Sequence, residues 1–218
     1  MQLAMNLWIL LCSLAGSIYG IYHFFRKGKA LYLQMITASV ICLLFARLFQ
    51  VVHIVAERDL STNFYIGLLG TAGSFMFLFS ANYGQMDRLV DDKSARFRKT
   101  RIISTISSIA ITLLYVLFYI TAEGKNVKYS VGITTIFMAT SVYYNFKHII
   151  IYDVELGIVK QIKKYNIVAV VYTFLTMFSL IGEYCNVPIL YMISCIGIGV
   201  CAATIIPVLK GGVDKWTI

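Results

Sequence analysis

Long apolar segments and short charged clusters alternate along the whole chain. Each apolar segment is about twenty residues long, the length that a helix needs to cross a hydrocarbon core of about 30 Å. The pattern predicts seven helices, at about 3–24, 31–56, 63–83, 102–120, 130–148, 165–183 and 188–209. The charged clusters between them read RKGK, ERD, DRLVDDKSARFRKTR, EGKNVK and KQIKK.

The composition places these helices in a membrane. Of the 218 residues, 59% are hydrophobic and only 13% are charged, whereas about 25% are charged in a typical soluble domain. The mean hydropathy is +0.78. We therefore expect an all-α integral membrane protein, with residues 1–218 forming a single bundle of seven transmembrane helices and no soluble domain.

The basic residues predict how the bundle is oriented. Fifteen of the nineteen Lys and Arg residues fall on one side of the predicted helices, only Arg58, Lys125 and Lys128 fall on the other side, and Arg47 lies within a span. Positively charged loops face the cytoplasm, so the amino terminus is predicted outside and the carboxy terminus inside, in a multi-pass protein of the plasma membrane. Attraction to anionic lipids accounts for the net charge of +9 and requires no nucleic-acid partner.

Small residues recur at a spacing that lets membrane helices approach closely. Examples are Gly16-xxx-Gly20 in the first span and Ser104-xxx-Ser108 in the fourth. Such seams predict packing within one bundle, with a homodimer seam as the alternative. The five cysteines show no CxxC pattern and no nearby histidine at metal-ligand spacing, so neither a metal nor a cofactor is expected.

A polar stripe in the second span is the first candidate site. Arg47, Gln50, His53 and Glu57 lie on one side of this helix. A charged Arg inside a membrane costs at least ~2.5–3.5 kcal/mol unless it faces the bundle interior and finds acceptors. The expected acceptors are the hydroxyl groups of the sixth span, backbone carbonyls or water.

We expect these groups to line a water-filled vestibule open to the outside. Arg47 would form its floor, and His53, Glu57 and Glu183 would lie near its rim. The sixth span supplies the hydroxyl groups of Tyr172, Thr173 and Thr176. In the functional interpretation Arg47 binds an anionic or polar ligand, since its forked donors suit carboxylate or phosphate. In the structural interpretation Arg47 only ties helices together.

A second candidate site lies where the third span reaches the cytoplasm. Ser80, Asn82, Tyr83 and Asp87 form a polar cluster at this mouth. The acids at 87, 91 and 92 are expected to pair with neighbouring Arg and Lys residues. A metal-diphosphate site like that of intramembrane prenyltransferases is disfavoured, because the spacing differs and the sequence holds no second acidic motif. The connections 84–101 and 149–164 are the candidate docking surface for a partner protein. The second of these predicts either a surface helix or extensions of the flanking helices.

The predicted topology resembles that of opsin-like proteins and of seven-helix sugar facilitators. The motifs differ, because the last span has its only lysine, Lys210, at the inner end, and prolines are absent from the middle of every span. Seven-helix receptor-like hydrolases carry clustered intramembrane histidines, whereas the three histidines here lie near helix ends. No family is recognised, and shared topology alone does not establish function.

These features favour binding over catalysis. The main hypothesis is a facilitator or channel-like protein that binds a small polar or anionic solute in the outer vestibule. The alternative is a ligand-sensing receptor module that signals through a partner protein, and the second alternative is a structural subunit of a membrane complex. An enzyme is less favoured, because no convergent acid, base and nucleophile are evident.

Overall fold

The computed structural model describes residues 1–25, 30–56, 66–83, 87, 91, 93–123, 125–151 and 158–214. All the regular secondary structure of these residues is helical, which confirms the predicted fold class at that level. The seven α-helices among them are α1 (Gln2–Phe24), α2 (Leu31–Val55), α3 (Ile66–Ala81), α4 (Arg98–Thr121), α5 (Lys125–Ile150), α6 (Ile158–Tyr184) and α7 (Pro188–Asp214). A short 3-10 turn, Ala95–Phe97, precedes α4.

Five of these helical segments are long and apolar enough to cross a membrane. They are Gln2–Phe24, Leu31–Val55, Ala95–Thr121, Lys163–Tyr184 and Pro188–Val213. The surface of α4 shows the same character, because Ile106, Leu113 and Ile120 are 60%, 63% and 74% exposed along one side of the helix. A contiguous apolar face of this kind is suited to lipid and not to water. The chain thus has the helices of a multi-pass membrane protein.

Six of the helices form a ring. Along this ring α1 packs on α2, α2 on α3, α3 on α5, α5 on α6, α6 on α7, and α7 again on α1. Helix α4 stands outside the ring and packs mainly against α5. The buried core therefore lies between α1, α2, α3, α5, α6 and α7, and any internal site must be built from these helices.

The ring has two ends, which we name from the predicted orientation. At the outer end the starts of α1 and α7 meet the ends of α2 and α6, since Gln2, Ile54, Glu183 and Tyr191 line one cavity. At the inner end Asn82, just after α3, donates a hydrogen bond to Asn145 near the end of α5. Helices that neighbour each other in sequence therefore run in opposite directions.

Small residues let the helices of the ring approach each other closely. A side chain at Gly16 would collide with the carbonyl oxygen of Ala202 in α7, and one at Gly20 would lie 2.6 Å from Thr37 of α2. Ser108 of α4 donates a hydrogen bond to the carbonyl oxygen of Ala139 in α5. These seams serve packing within the bundle, which was the main expectation for them.

Helices extend beyond the predicted spans on the inner side. Helix α5 continues to Ile150 and α6 already begins at Ile158, so the described part of 149–164 extends the two flanking helices. On the outer side α6 and α7 are joined by a tight turn in which Asn186 has a φ of 56°. Asn tolerates this left-handed conformation better than most residues, and Pro188 then begins α7 at the position where proline is favoured.

Candidate functional site

Arg47 lies buried within the ring and is only partly satisfied. Its side chain comes from α2 and the residue is 8% exposed. The Nη1 group donates to Oδ1 of Asn6 at 3.1 Å and to Oε1 of Gln50 at 2.7 Å. The Nε group is buried and has no hydrogen-bond partner in the described part of the chain. Both acceptors are neutral amides, so the positive charge is solvated but not paired by them.

Asn6 connects Arg47 to the outer surface. Its Nδ2 group donates to the carbonyl oxygen of Gln2 at 3.0 Å and lies 3.4 Å from the hydroxyl oxygen of Tyr191. Asn6 is fully buried, and a buried amide in a membrane helix is favoured only when its polar atoms have partners. Asn6 therefore connects Arg47, which lies deeper in the ring, to Gln2 and Tyr191 nearer the outer end.

Gln2 and Tyr191 both line a cavity at the outer end of the ring. The cavity has a volume of about 650 Å³ and lies between α1, α2, α6 and α7. We call it the outer vestibule. Its lining residues are Met1, Gln2, Leu3, Ile54, Gly182, Glu183, Asn186, Pro188 and Tyr191. Glu183 is the acidic residue of this lining and is half-buried.

The predicted rim residues have different environments. Glu183 lines the outer vestibule. His53 is half-buried near the outer end of α2, where its ring stacks on Phe49 with 5.6 Å between the centroids. Glu57 lies outside the described residues. The structure thus brings Arg47, Gln50 and Glu183 to one region, while His53 packs against its own helix.

The hydroxyl groups expected near Arg47 form hydrogen bonds to other groups, and the acceptors that the structure shows for Arg47 are amides. Thr173 and Thr176 donate to the carbonyl oxygens four residues earlier in α6, each at 2.8 Å. The hydroxyl of Tyr172 lies 3.2 Å from that of Ser74. Hydroxyl groups in helices often bond to the preceding turn in this way, so the amides of α1 and α2 solvate Arg47 instead.

Asn6 and Tyr191 are site residues that the sequence did not reveal. Each is a single polar residue near the start of an apolar helix, and no spacing shows that it faces Arg47. The available signal was the rarity of Asn within such helices, since polar groups in spans tend to face the bundle interior.

Three hydroxyl groups contact one another in the middle of the ring. Ser39 of α2 lies 2.9 Å from Ser74 of α3, and Ser74 contacts Tyr172 of α6. A cavity of about 10 Å³ adjoins these three residues, and such a volume is near the lower limit for one water molecule. The ring of Tyr172 also stacks on Phe75 at 4.9 Å. The centre is therefore polar on one side but tightly packed.

The inner end is held by ion pairs. Lys147 of α5 lies 2.7 Å from a carboxylate oxygen of Asp87 and 2.7 Å from one of Asp91, and Arg101 of α4 lies 2.9 Å from Asp91. His148 is 3.5 Å from Asp87. Burial by itself raises the pKa of both carboxyl groups, but hydrogen bonds from neighbouring groups, His148 and Lys147 at Asp87 and Lys147 at Asp91 among them, outweigh it, so both pKa values lie below the ordinary value. Both carboxylates are thus paired with basic residues.

A cluster of amides and phenols lies above these ion pairs. Asn82 donates to Asn145 at 2.8 Å, and Asn145 donates to the Ser141 carbonyl at 2.7 Å. The Tyr32 hydroxyl, Oδ1 of Asn82 and both side-chain polar atoms of Asn166 are buried without partners in the described part of the chain. Sequence reasoning assigned no role to Asn145 and did not single out Asn166.

The other predicted residues of the inner mouth are less enclosed. Ser80 is half-buried. Tyr83 is 53% exposed and packs edge-on against Tyr144 of α5, with 5.4 Å between the ring centroids. Of the four predicted residues, Asn82 and Asp87 therefore make polar contacts to α5, while Tyr83 contributes an aromatic contact.

No family model, no curated protein and no solved structure matches this chain. Among the described residues, no group of three or more His, Cys, Asp or Glu side chains is arranged to hold a metal ion.

Proposed function

We propose that this protein is a membrane facilitator that binds a small polar or anionic solute in the outer vestibule and conducts it across the bilayer. The proposal includes seven membrane spans, with the amino terminus outside. The observation that carries it is the buried guanidinium of Arg47 beneath a cavity at the outer end, with an Nε group that has no partner among the described residues.

The energetics of Arg47 support a ligand-binding role. A buried donor without a partner costs about 1–3 kcal/mol, and more when it is charged. An Arg in the middle of a span adds at least ~2.5–3.5 kcal/mol. Two neutral amides, Asn6 and Gln50, offset part of this cost. A solute with an acceptor oxygen would offset the rest, whereas a purely structural Arg would be expected to have its donors filled by the protein.

Polar groups along the axis of the ring support conduction. Below Arg47 lie the hydroxyl groups of Ser39, Ser74 and Tyr172, and below them the amides at the inner end, including Asn166. Fully buried apolar residues such as Phe75, which stacks on Tyr172, pack beside these polar groups. Passage of a solute would therefore require the ring to open at its inner half.

Flux into liposomes that contain only this protein tests the proposal. Arg47→Leu should reduce the uptake of small anions by about 10- to 150-fold, since a hydrogen bond to a charged group contributes about 1.5–3 kcal/mol. Arg98→Leu is the matched control, because Arg98 is exposed at the inner end, and it should leave uptake unchanged. Binding without any flux would reject the facilitator.

Sensing is the second candidate function. The ion pairs among Asp87, Asp91, Lys147 and Arg101 join the segment after α3 to α4 and α5. A ligand that moves α2 or α6 at the outer end could transmit this movement to the inner network and to a partner protein at 84–101 or 149–164. Ligand binding without flux would favour this role, and absence of both would favour a structural subunit.

A further inference from the structure

We infer that the outer vestibule binds a zwitterion of the amino-acid type, with its carboxylate at Arg47 and its ammonium group at Glu183. This inference deepens the proposed function by naming the class of solute, and it rests on that function. It starts from two opposite charges that the structure places close to one cavity but leaves without a direct bond to each other.

Arg47 and Glu183 act on one another electrostatically. The described part of the chain nevertheless holds no ion pair between them within 4.0 Å, and Arg47 is instead bonded to Asn6 and Gln50. Asn6 in turn contacts Tyr191, which lines the outer vestibule together with Glu183. Glu183 therefore lies in the wall of the outer vestibule, and Arg47 lies beneath the vestibule, separated from it by Asn6.

The carboxylate end of the ligand fits Arg47. Two neutral amide oxygens accept hydrogen bonds from Nη1, while Nε is buried and has no partner in the part of the chain that the structure describes. The planar guanidinium group binds a carboxylate through two parallel N–H donors. A ligand carboxylate would therefore supply both an acceptor for Nε and a negative charge for a cation that has no anionic partner within 4.0 Å among the described residues.

The ammonium end fits Glu183. This half-buried carboxyl group lines the outer vestibule together with the polar side chains of Gln2, Asn186 and Tyr191. A simple monoanion at Arg47 would be repelled by Glu183, and a simple monocation at Glu183 would be repelled by Arg47, because like charges disfavour each other where water is scarce. A zwitterion satisfies both residues at once.

The rest of the cavity suits an apolar side chain. Leu3, Ile54 and Pro188 contribute apolar surface to the lining, and the volume of about 650 Å³ leaves space beyond a backbone-sized zwitterion. Binding sites for small molecules commonly combine such apolar walls with a few placed polar groups. We therefore expect amino acids with apolar side chains to bind best.

Thermal unfolding and calorimetric titration of the purified protein with the L-amino acids test this inference. For each amino acid that binds, the matched probes are its amine, which lacks the carboxylate, and its deaminated acid, which lacks the ammonium group. We expect both probes to bind at least tenfold more weakly than the amino acid. A deaminated acid that binds as tightly as the amino acid would overturn the inference, as would the failure of every amino acid to bind.

Glu183→Gln is the decisive variant, because it keeps the shape of the side chain and removes its charge. It should weaken binding of the amino acid at least tenfold and leave binding of the deaminated acid unchanged or tighter. Equal weakening of both compounds would reject a contact with the ammonium group. Arg47→Lys keeps the positive charge but loses the planar pair of N–H donors of the guanidinium group, so it should weaken the binding of both compounds.

The outcomes separate this inference from the facilitator. Small anions that bind, enter liposomes and require Arg47, while amino acids neither bind nor enter, would show that the zwitterion inference is wrong and that the proposed facilitator stands. If amino acids bind as described but no solute enters liposomes, the ligand class stands and the facilitator fails.

Discussion

Lys147→Met removes the ammonium group that holds Asp87 and Asp91 against the end of α5. The Lys147 side chain is 3% exposed, and it lies 2.7 Å from each acid. Met has a similar length and no charge, so the substitution leaves two carboxylates of which one, Asp91, is only 1% exposed. The expected effect is a loss of stability, caused by the weaker pairing of these two carboxylates more than by the lost packing.

The structure sets the size of this effect. Removing one partner of a buried ion pair costs about 3–5 kcal/mol. Asp91 keeps Arg101 at 2.9 Å and the backbone N–H of Lys93 at 2.8 Å, so we expect the lower end, about 3 kcal/mol. For a chain of this length each kcal/mol changes Tm by about 2–4 °C. Lys147→Met should therefore unfold about 6–12 °C below the wild type at pH 7.

The dependence on pH distinguishes lost charge pairing from lost packing. In the wild type the pKa values of Asp87 and Asp91 are lowered, so these groups stabilise the folded state above their unfolded pKa of about 4, and this stability is lost as the pH falls through the lower folded values. Without Lys147, burial is offset less, so we expect the pKa values of both carboxyl groups to rise. The variant is then penalised at neutral pH, and the penalty shrinks as the pH falls toward about 4.

Thermal unfolding in detergent across this pH range is the assay. Lys99→Met is the matched control, because Lys99 is exposed at the inner end. This variant should melt at the same temperature as the wild type. Combining Lys147→Met with Asp87→Asn should recover part of the loss, since one unpaired charge is gone. The reasoning is refuted if Lys147→Met and Lys99→Met melt together at pH 7, or if the difference between them does not shrink at low pH.

Two further predictions concern the packing and the orientation of the bundle. Gly182→Ala would place a Cβ atom 2.5 Å from the backbone nitrogen of Tyr191, so it should destabilise the protein by about 1–3 kcal/mol. Gly73→Ala would place its Cβ atom an ordinary 3.5 Å from Sγ of Cys42 and should be neutral or stabilise by up to about 1 kcal/mol; equal melting temperatures of the two variants would contradict the close approach at Gly182. Cys185 is half-buried at the outer end and Cys201 is buried, so a membrane-impermeant maleimide should label Cys185 on intact cells and spare Cys201. Labelling of Cys185 only after the cells are opened would contradict the predicted orientation and place this end of the bundle inside.

The sequence predicted the helices well because hydropathy reports which solvent a segment can enter. The apolar runs at 3–24, 31–56 and 188–209 correspond to Gln2–Phe24, Leu31–Val55 and Pro188–Asp214. The inner helix ends were placed less well, since α4 begins at Arg98 and α6 at Ile158. Helical hydrogen bonds continue through charged residues beyond the apolar run, so hydropathy cannot mark these ends. The number of membrane spans and the orientation stay predictions.

The candidate site was only partly predictable. Arg47 and Glu183 stood out because charges within apolar segments are costly and therefore rare. Their surroundings did not, because the Asn6 that solvates Arg47 lies forty-one positions earlier. The pairing of Asp87 and Asp91 with Lys147 likewise joins residues that are about sixty positions apart. The sequence pattern predicted basic partners from the neighbouring segment. That segment supplies Arg101, whereas Lys147 comes from α5.

By itself the sequence determined that this chain is helical, how long most of its helices are and which few charges lie among apolar residues, because composition and periodicity depend on one segment at a time. Only the tertiary structure decided that six helices form a ring, that α4 stands outside it and that Arg47 lies beneath a vestibule lined by Glu183. Such choices depend on which helix surfaces fit together closely, as at Gly16 and Ala202, and the fit between two surfaces is a property of neither sequence segment alone.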